Sequence, residues 1–164
     1  MDAENGEARA WDVIDKVGNC VMVTQFDGGL RGRPMQARPD REEGLIWFLT
    51  DVRAAKDDEI EAWPDICLVF IDPKEKVYLS VSGRAELSED REMTRRLWDD
   101  EQQAWWPDGP DDANVRVICV VPERIEFWDG PTNPAVARRE FLRAAATGEK
   151  PNLGERRKKS VELD

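Results

Sequence analysis

Three arginines, Arg31, Arg33 and Arg38, stand in a stretch from Gly28 to Pro39 that holds no acid, in a chain whose formal net charge is −11. A guanidinium presents a planar fork of donors matched to phosphate or carboxylate oxygens. This positive island therefore reads either as a solvated strand face or as an anion site. A second candidate is Trp47-Phe48-Leu49-Thr50-Asp51-Val52-Arg53-Ala54-Ala55-Lys56. An apolar run ends there in the hydroxyl of Thr50, and a loop then brings Arg53 and Lys56 to the start of a helix. Free N–H groups at a helix N-terminus, flanked by cations, favour a bound phosphate. Of the seven tryptophans, Trp47, Trp105, Trp106 and Trp128 fall near strand ends or loops. They serve as core filler or as neighbours for a flat ring.

Other chemistries are excluded by what is missing. The chain has no histidine, which removes Ser-His and Cys-His catalysis, the common zinc sites and the usual axial haem ligand. The three cysteines, Cys20, Cys67 and Cys119, each lie in an apolar run without Cys-x-x-Cys spacing and read as reduced, buried thiols. No metal site is expected, and any reaction is expected to be carried by a cofactor. An acidic chain with a pI near 4.6 repels a phosphate backbone, so nucleic acid is not an expected partner. No apolar run approaches a membrane span, and Met1-Asp2-Ala3-Glu4 is the opposite of a secretory signal. A cytoplasmic protein is expected.

These residues must be positioned by a small set of elements. Ala10, Val13, Ile14 and Val17 have the spacing of one buried helix face, stopped by Gly18. Cys20 to Phe26 reads as a strand, Asp27-Gly28-Gly29 as a turn, and Arg33 to Arg38 as the returning strand, with Pro34 needing an edge or a bulge. Leu45 to Thr50 and Ile66 to Ile71 are continuous apolar runs that suit strands buried on both faces, with a helix from about Ala54 to Trp63 between them. Val77 to Leu87 alternates almost perfectly and predicts a long strand with one face inward. Ser88 is placed to cap a helix carrying Met93, Leu97 and Trp98 inward. Val115 to Val121 and Arg124 to Trp128 give two last strands, kinked at Pro122. Asn133 and Pro134 then start a helix with an apolar face of Ala137, Phe141, Ala144 and Ala145. The tail from Gly148 to Asp164 reads as disordered or draped over a partner. The expected fold is α+β: six or seven mostly antiparallel strands in a closed or nearly closed barrel, with three or four flanking helices.

Arg33-Pro34-Met35, then Leu45 to Asp51 with a lysine shortly after, then Val81-Ser82-Gly83-Arg84-Ala85-Glu86 and Glu126-Phe127-Trp128-Asp129, together resemble the general stress protein branch of the pyridoxamine 5'-phosphate oxidase-like family. The likeness runs in order over roughly residues 7 to 130. It extends to Asn133-Pro134 and to Gly148 through Gly154, which resemble the C-terminal extension of longer members. The resemblance implies an FMN-binding antiparallel split β-barrel over residues 1–130, with residues 131–164 as a helix and charged tail of the same domain. It implies a homodimer with FMN in two clefts at the subunit interface. Arg33, Pro34 and Met35 would line the flavin edge, and Trp47, Phe48, Leu49 and Thr50 would contact the ring. Arg53 and Lys56 would hold the phosphate, and Trp128 of the second subunit would meet the ring's apolar end. A deazaflavin, or no retained cofactor, is the alternative.

Two departures qualify the resemblance. Ala54-Ala55 stands where family members often place a serine, and a lost hydrogen bond to phosphate costs about 1.5–3 kcal/mol. The histidine that grips the vitamin phosphate in pyridoxamine phosphate oxidases is also absent, so that activity is not expected. A flavin-dependent oxidoreductase of unknown substrate and a non-catalytic FMN-binding stress module both remain open.

Overall fold

The computed structural model describes residues 3–53, 55–129, 133–152 and 159–162, without the side chains of 3–5, 55–57, 129 and 159–162. Helix α1 (Ala3–Val17) leads into β1 (Asn19–Phe26), β2 (Gly29–Gln36), β3 (Arg38–Asp40) and β4 (Leu45–Asp51). Helix α2 (Ala55–Ala62) precedes β5 (Asp65–Asp72) and β6 (Val77–Ser88). After α3 (Arg91–Leu97) and two 3-10 turns come β7 (Val115–Asp129), α4 (Pro134–Thr147) and β8 (Lys159–Glu162). The architecture is α+β, as expected from the strand and helix patterns.

All strands pair antiparallel in one sheet of order β2-β1-β5-β6-β7-β4-β3, with β8 on β7. No ladder joins its two ends among the described residues, so the sheet is not closed by hydrogen bonds. Its end strands are nevertheless consecutive in the chain. β2 pairs with β1 and β3 with β4, and only Ala37 separates them. The Ala37 N–H donates to the Gly18 carbonyl at 2.8 Å, which fixes the point where the chain passes from one edge to the other.

Each element follows from its residues. Ala10, Trp11 and Ile14 of α1 are buried, with Val13 and Val17 packed against the core, and Gly18 ends the helix at φ +69°. Gly28, at φ +103°, supplies the turn between β1 and β2, a conformation few other residues adopt cheaply. Pro34 sits on edge strand β2, where a missing N–H costs nothing. β6 buries Val77, Leu79, Val81 and Ala85 and exposes the alternate set.

Several expectations are corrected. β4 and β5 are fully buried on one face only: Ile46, Phe48, Ile66, Leu68 and Phe70 point inward, while Trp47, Leu49, Cys67 and Val69 stay half-buried on the outer side. Their continuous apolar run reflects an outer face that is itself apolar. Asp90, not Ser88, caps α3, because β6 continues through Ser88 and the Asp90 carboxylate accepts from the Met93 N–H. Thr94 is the buried residue of α3, and Trp98 lies tilted against Trp106 with centroids 6.0 Å apart. The two last strands are one, β7, with a bulge where Gly83 faces Pro122. Part of the tail forms β8 on this chain's own β7, because β4 pairs with β7 only as far as Val120 and leaves that edge free farther on. Asn133 does cap α4, but of the expected apolar face only Ala137 is buried and Phe141 is 54% exposed. Among the described residues no helix is long and apolar enough to cross a membrane.

Candidate functional site

The arginine island is resolved into two separate ion-pair systems. Along β2, Arg31, Arg33 and Met35 alternate with Gly32, Pro34 and Gln36, and Met35 reaches the core. Glu59 of α2, buried, accepts from Arg33 Nη2 at 2.8 Å and from the Thr24 hydroxyl at 2.7 Å, and Arg31 Nη1 lies 3.1 Å from its other oxygen. Burial pushes the Glu59 carboxyl up, but hydrogen bonds from Arg33 and Thr24 outweigh it and hold the group below the usual glutamate range. Arg38 turns to Asp99 instead, donating to one carboxylate oxygen at 3.1 and 3.2 Å. A local sequence free of acids thus acquires two from distant elements. Glu59 and Asp99 are the site residues that sequence reasoning missed. Neither carried a signal in the sequence, because each meets its arginine only through the fold.

A cleft of about 260 Å³ opens between β2 and β4. Pro34, Met35 and Arg38 form one wall, Leu49 lies between, and Gln102, Trp105 and Trp106 form the other. Trp105 is 75% exposed at its mouth, whereas Trp106 is buried. β3 pairs with β4 only at Leu45, Ile46 and Trp47, so from Phe48 to Asp51 β4 has a strand on the β7 side alone among the described residues. That leaves main-chain groups facing the cleft side without a ladder partner. Phe48 itself points into the core, so only its backbone could serve a ligand. Thr50 is buried.

Buried donors lie in the cleft wall and beside it. Arg38 Nε, on a residue lining the cleft, and Arg33 Nη1 and Trp47 Nε1, on residues that do not line it, are buried N–H groups without an acceptor among the described residues, a costly condition that a ligand bearing acceptor oxygens or ring nitrogens would relieve. Trp47 borders a neighbouring hollow of about 290 Å³ that shares Arg38 with the cleft.

The phosphate-loop residues are less assembled. The Arg53 side chain is folded back on Asp51, donating from Nε at 2.8 Å and from Nη2 at 2.5 Å. The Arg53 hydrogen bond is the chief reason the Asp51 carboxyl is pushed down to about 2. The Lys56 side chain lies outside the described residues, as does Ala54, so only the backbone of Lys56 in α2 is placed. Trp128 is not brought to the cleft of its own chain. It pairs with Tyr78, twelve residues beyond Arg116, the β7 partner of Thr50, or up to about 40 Å along an extended strand. Among the described residues no cluster of metal-ligating side chains is present. Cys20, Cys67 and Cys119 are free thiols, and burial pushes that of Cys20 up to about 12.

Residues 5–152 match the family model described as pyridoxamine 5'-phosphate oxidase like. The chain belongs to the pyridoxamine 5'-phosphate oxidase-like family. Within it, general stress protein 26 of Bacillus subtilis (strain 168) is 28% identical over 139 residues, covering 79% of this chain and 92% of that protein. A crystal structure assigned to general stress protein 26, from Jannaschia sp. CCS1, superposes with a TM-score of 0.73 at 26% identity, over 99% of this chain and 100% of the other. The general stress FMN/FAD binding protein of Xanthomonas citri shares the fold, with a TM-score of 0.67 at 22% identity over 77% of this chain and 89% of its own. As a homologue of general stress protein 26, this pyridoxamine 5'-phosphate oxidase-like chain carries its relatives' likeness through α4 as well as through the sheet.

Proposed function

We propose that this chain binds FMN in a split β-barrel homodimer, one flavin to each cleft between β2 and β4, and that it serves a flavin-dependent redox reaction in the cytoplasm. The observation that carries the proposal is the cleft itself, which is lined both by the half-paired β4 and by Arg38, whose buried Nε lacks an acceptor among the described residues. An isoalloxazine ring offers carbonyl oxygens and ring nitrogens to such donors, and the Xanthomonas citri relative carries FMN/FAD binding in its description. A cleft of about 260 Å³ is at the small end for a ligand of this size. That favours a site completed by a second subunit, whose Trp128 would cover the apolar end of the ring.

Bound flavin would supply hydride or single-electron transfer. Pro34, Met35 and Leu49 would pack against the ring and keep water from one side of it. The backbone from Trp47 to Thr50 would orient it through main-chain hydrogen bonds. Arg33 would present Nη1 while Glu59 holds its other nitrogen. Arg53 and Lys56 would take the phosphate at the start of α2, with Ala54-Ala55 offering no hydroxyl to help.

A second reading, an FMN-holding module without turnover, is favoured by that missing hydroxyl and by the Arg53–Asp51 pair, which competes for one phosphate ligand. Titrating FMN while following tryptophan fluorescence tests the binding, and no change on saturation would end the flavin proposal. Mixing the loaded protein anaerobically with NADH or NADPH separates the readings: bleaching within seconds favours the enzyme, and an unchanged flavin spectrum with common reductants favours the module.

A further inference from the structure

We propose that α4 of one protomer docks on the acidic, tryptophan-bearing rim of its partner's cleft, so that the cleft is roofed by the other chain. This rests on the two-subunit reading above and goes beyond it by naming the segment that closes the site.

Helix α4 is an amphipathic helix whose larger apolar residues are left uncovered by the described residues. Val136, Phe141 and Leu142 are 43%, 54% and 64% exposed, and α4 packs closely on no other described element. It is also basic: Arg143 pairs with Glu140 and Glu149, and Arg138 and Arg139 are exposed on a helix with no other acid. In a chain of net charge −11 such a helix is the exception, and it suits an acidic apolar surface. The cleft rim has that character. From Asp99 to Asp112 the chain holds six acids and no base. Asp100, Glu101 and Asp108 are exposed there, around Trp105 at 75%.

Chain geometry selects the partner's rim over the chain's own. The rim joins β7 at Val115, and α4 leaves it beyond Asp129. Fifteen residues of strand separate them by up to about 50 Å. The link to Asn133 and the helix as far as Phe141 reach back only about 30 Å. If the partner's Trp128 meets the ring in this cleft, the partner's α4 begins six residues later, within about 22 Å of it.

A Trp105→Cys, Phe141→Cys double variant tests this without any flavin, and both sites are exposed enough to leave the fold intact. Under mild oxidation a non-reducing gel should show a species of twice the 18.8 kDa chain mass, absent from wild type and from each single variant. In parallel, Arg138→Glu with Arg139→Glu should weaken dimerisation about tenfold in sedimentation experiments. A dimeric wild type whose double variant yields no such species, or only a disulfide within one chain, overturns the docking and leaves the two-subunit site standing. A monomeric wild type overturns both.

Discussion

Burying a carboxylate costs several kcal/mol unless its charge is matched, and Glu59 is matched by two guanidinium groups and the Thr24 hydroxyl. Truncating it leaves the partly buried Arg33 without its carboxylate, so Glu59→Ala should cost about 3 kcal/mol, read as a lowered urea midpoint. The same pairing sets an acid limit. The folded Glu59 carboxyl lies below its ordinary value, while in the unfolded chain it titrates near 4.3 (roughly). Its stabilisation is complete above that value and is lost as pH falls through the folded one. Glu59→Gln should therefore flatten the acid limb of stability below about pH 4.3, and an unchanged limb would remove Glu59 from the account. At the start of α2 the two cations should differ. Lys56→Ala should weaken FMN about 30-fold. Arg53→Ala should lose less than about fivefold, since Arg53 already serves an exposed pair with Asp51. Equal losses in the titration would mean that Arg53 leaves Asp51 for the ligand. None of this network was legible in the sequence. The arginines stood out against an acidic chain, but Glu59 and Asp99 lie 26 and 61 positions from their partners, and no local pattern encodes such pairs.

Among the elements, the β6–β7 ribbon shows which features a sequence reveals. The alternation in Val77 to Leu87 announced β6, and Pro122 announced an irregularity, read there as a break between strands. What occurs is a bulge, because Gly83 lets the β7 backbone come so close that a Cβ would run into the Val121 carbonyl and Pro122. Gly83→Ala should cost about 3 kcal/mol as the bulge is forced apart. A thermal midpoint within a degree or two of wild type would show that the backbone yields freely. The continuous apolar runs of β4 and β5 misled for a related reason. Hydropathy cannot tell a strand buried on both faces from one whose outer face awaits a partner. The half-paired edge of β4 beyond Trp47 was equally hidden, since it depends on β3 beginning only at Arg38, the preceding residues being paired with β1.

At the scale of the whole molecule, the outer face of the sheet has to be reconciled with a charge of −11. Ile71, Tyr78 and Trp128 sit side by side on β5, β6 and β7, and the first two are 45% and 48% exposed. An apolar row of this kind on a strongly acidic surface is what the proposed homodimer would bury. In the proposed homodimer two such chains would repel at long range, so their contact would be local and apolar, and association should strengthen as salt screens the net charge. Tyr78→Glu places a new charge in the centre of that row while leaving β6 facing solvent on the same side. It should yield a folded monomer by sedimentation, with the far-ultraviolet spectrum of wild type. If the flavin lies between subunits, the same variant should lose FMN although no residue lining the cleft has changed. The linkage also runs the other way: FMN should stabilise the wild-type dimer, and dilution below its dissociation constant should release flavin. A monomeric Tyr78→Glu protein that keeps wild-type FMN affinity would place the whole site within one chain.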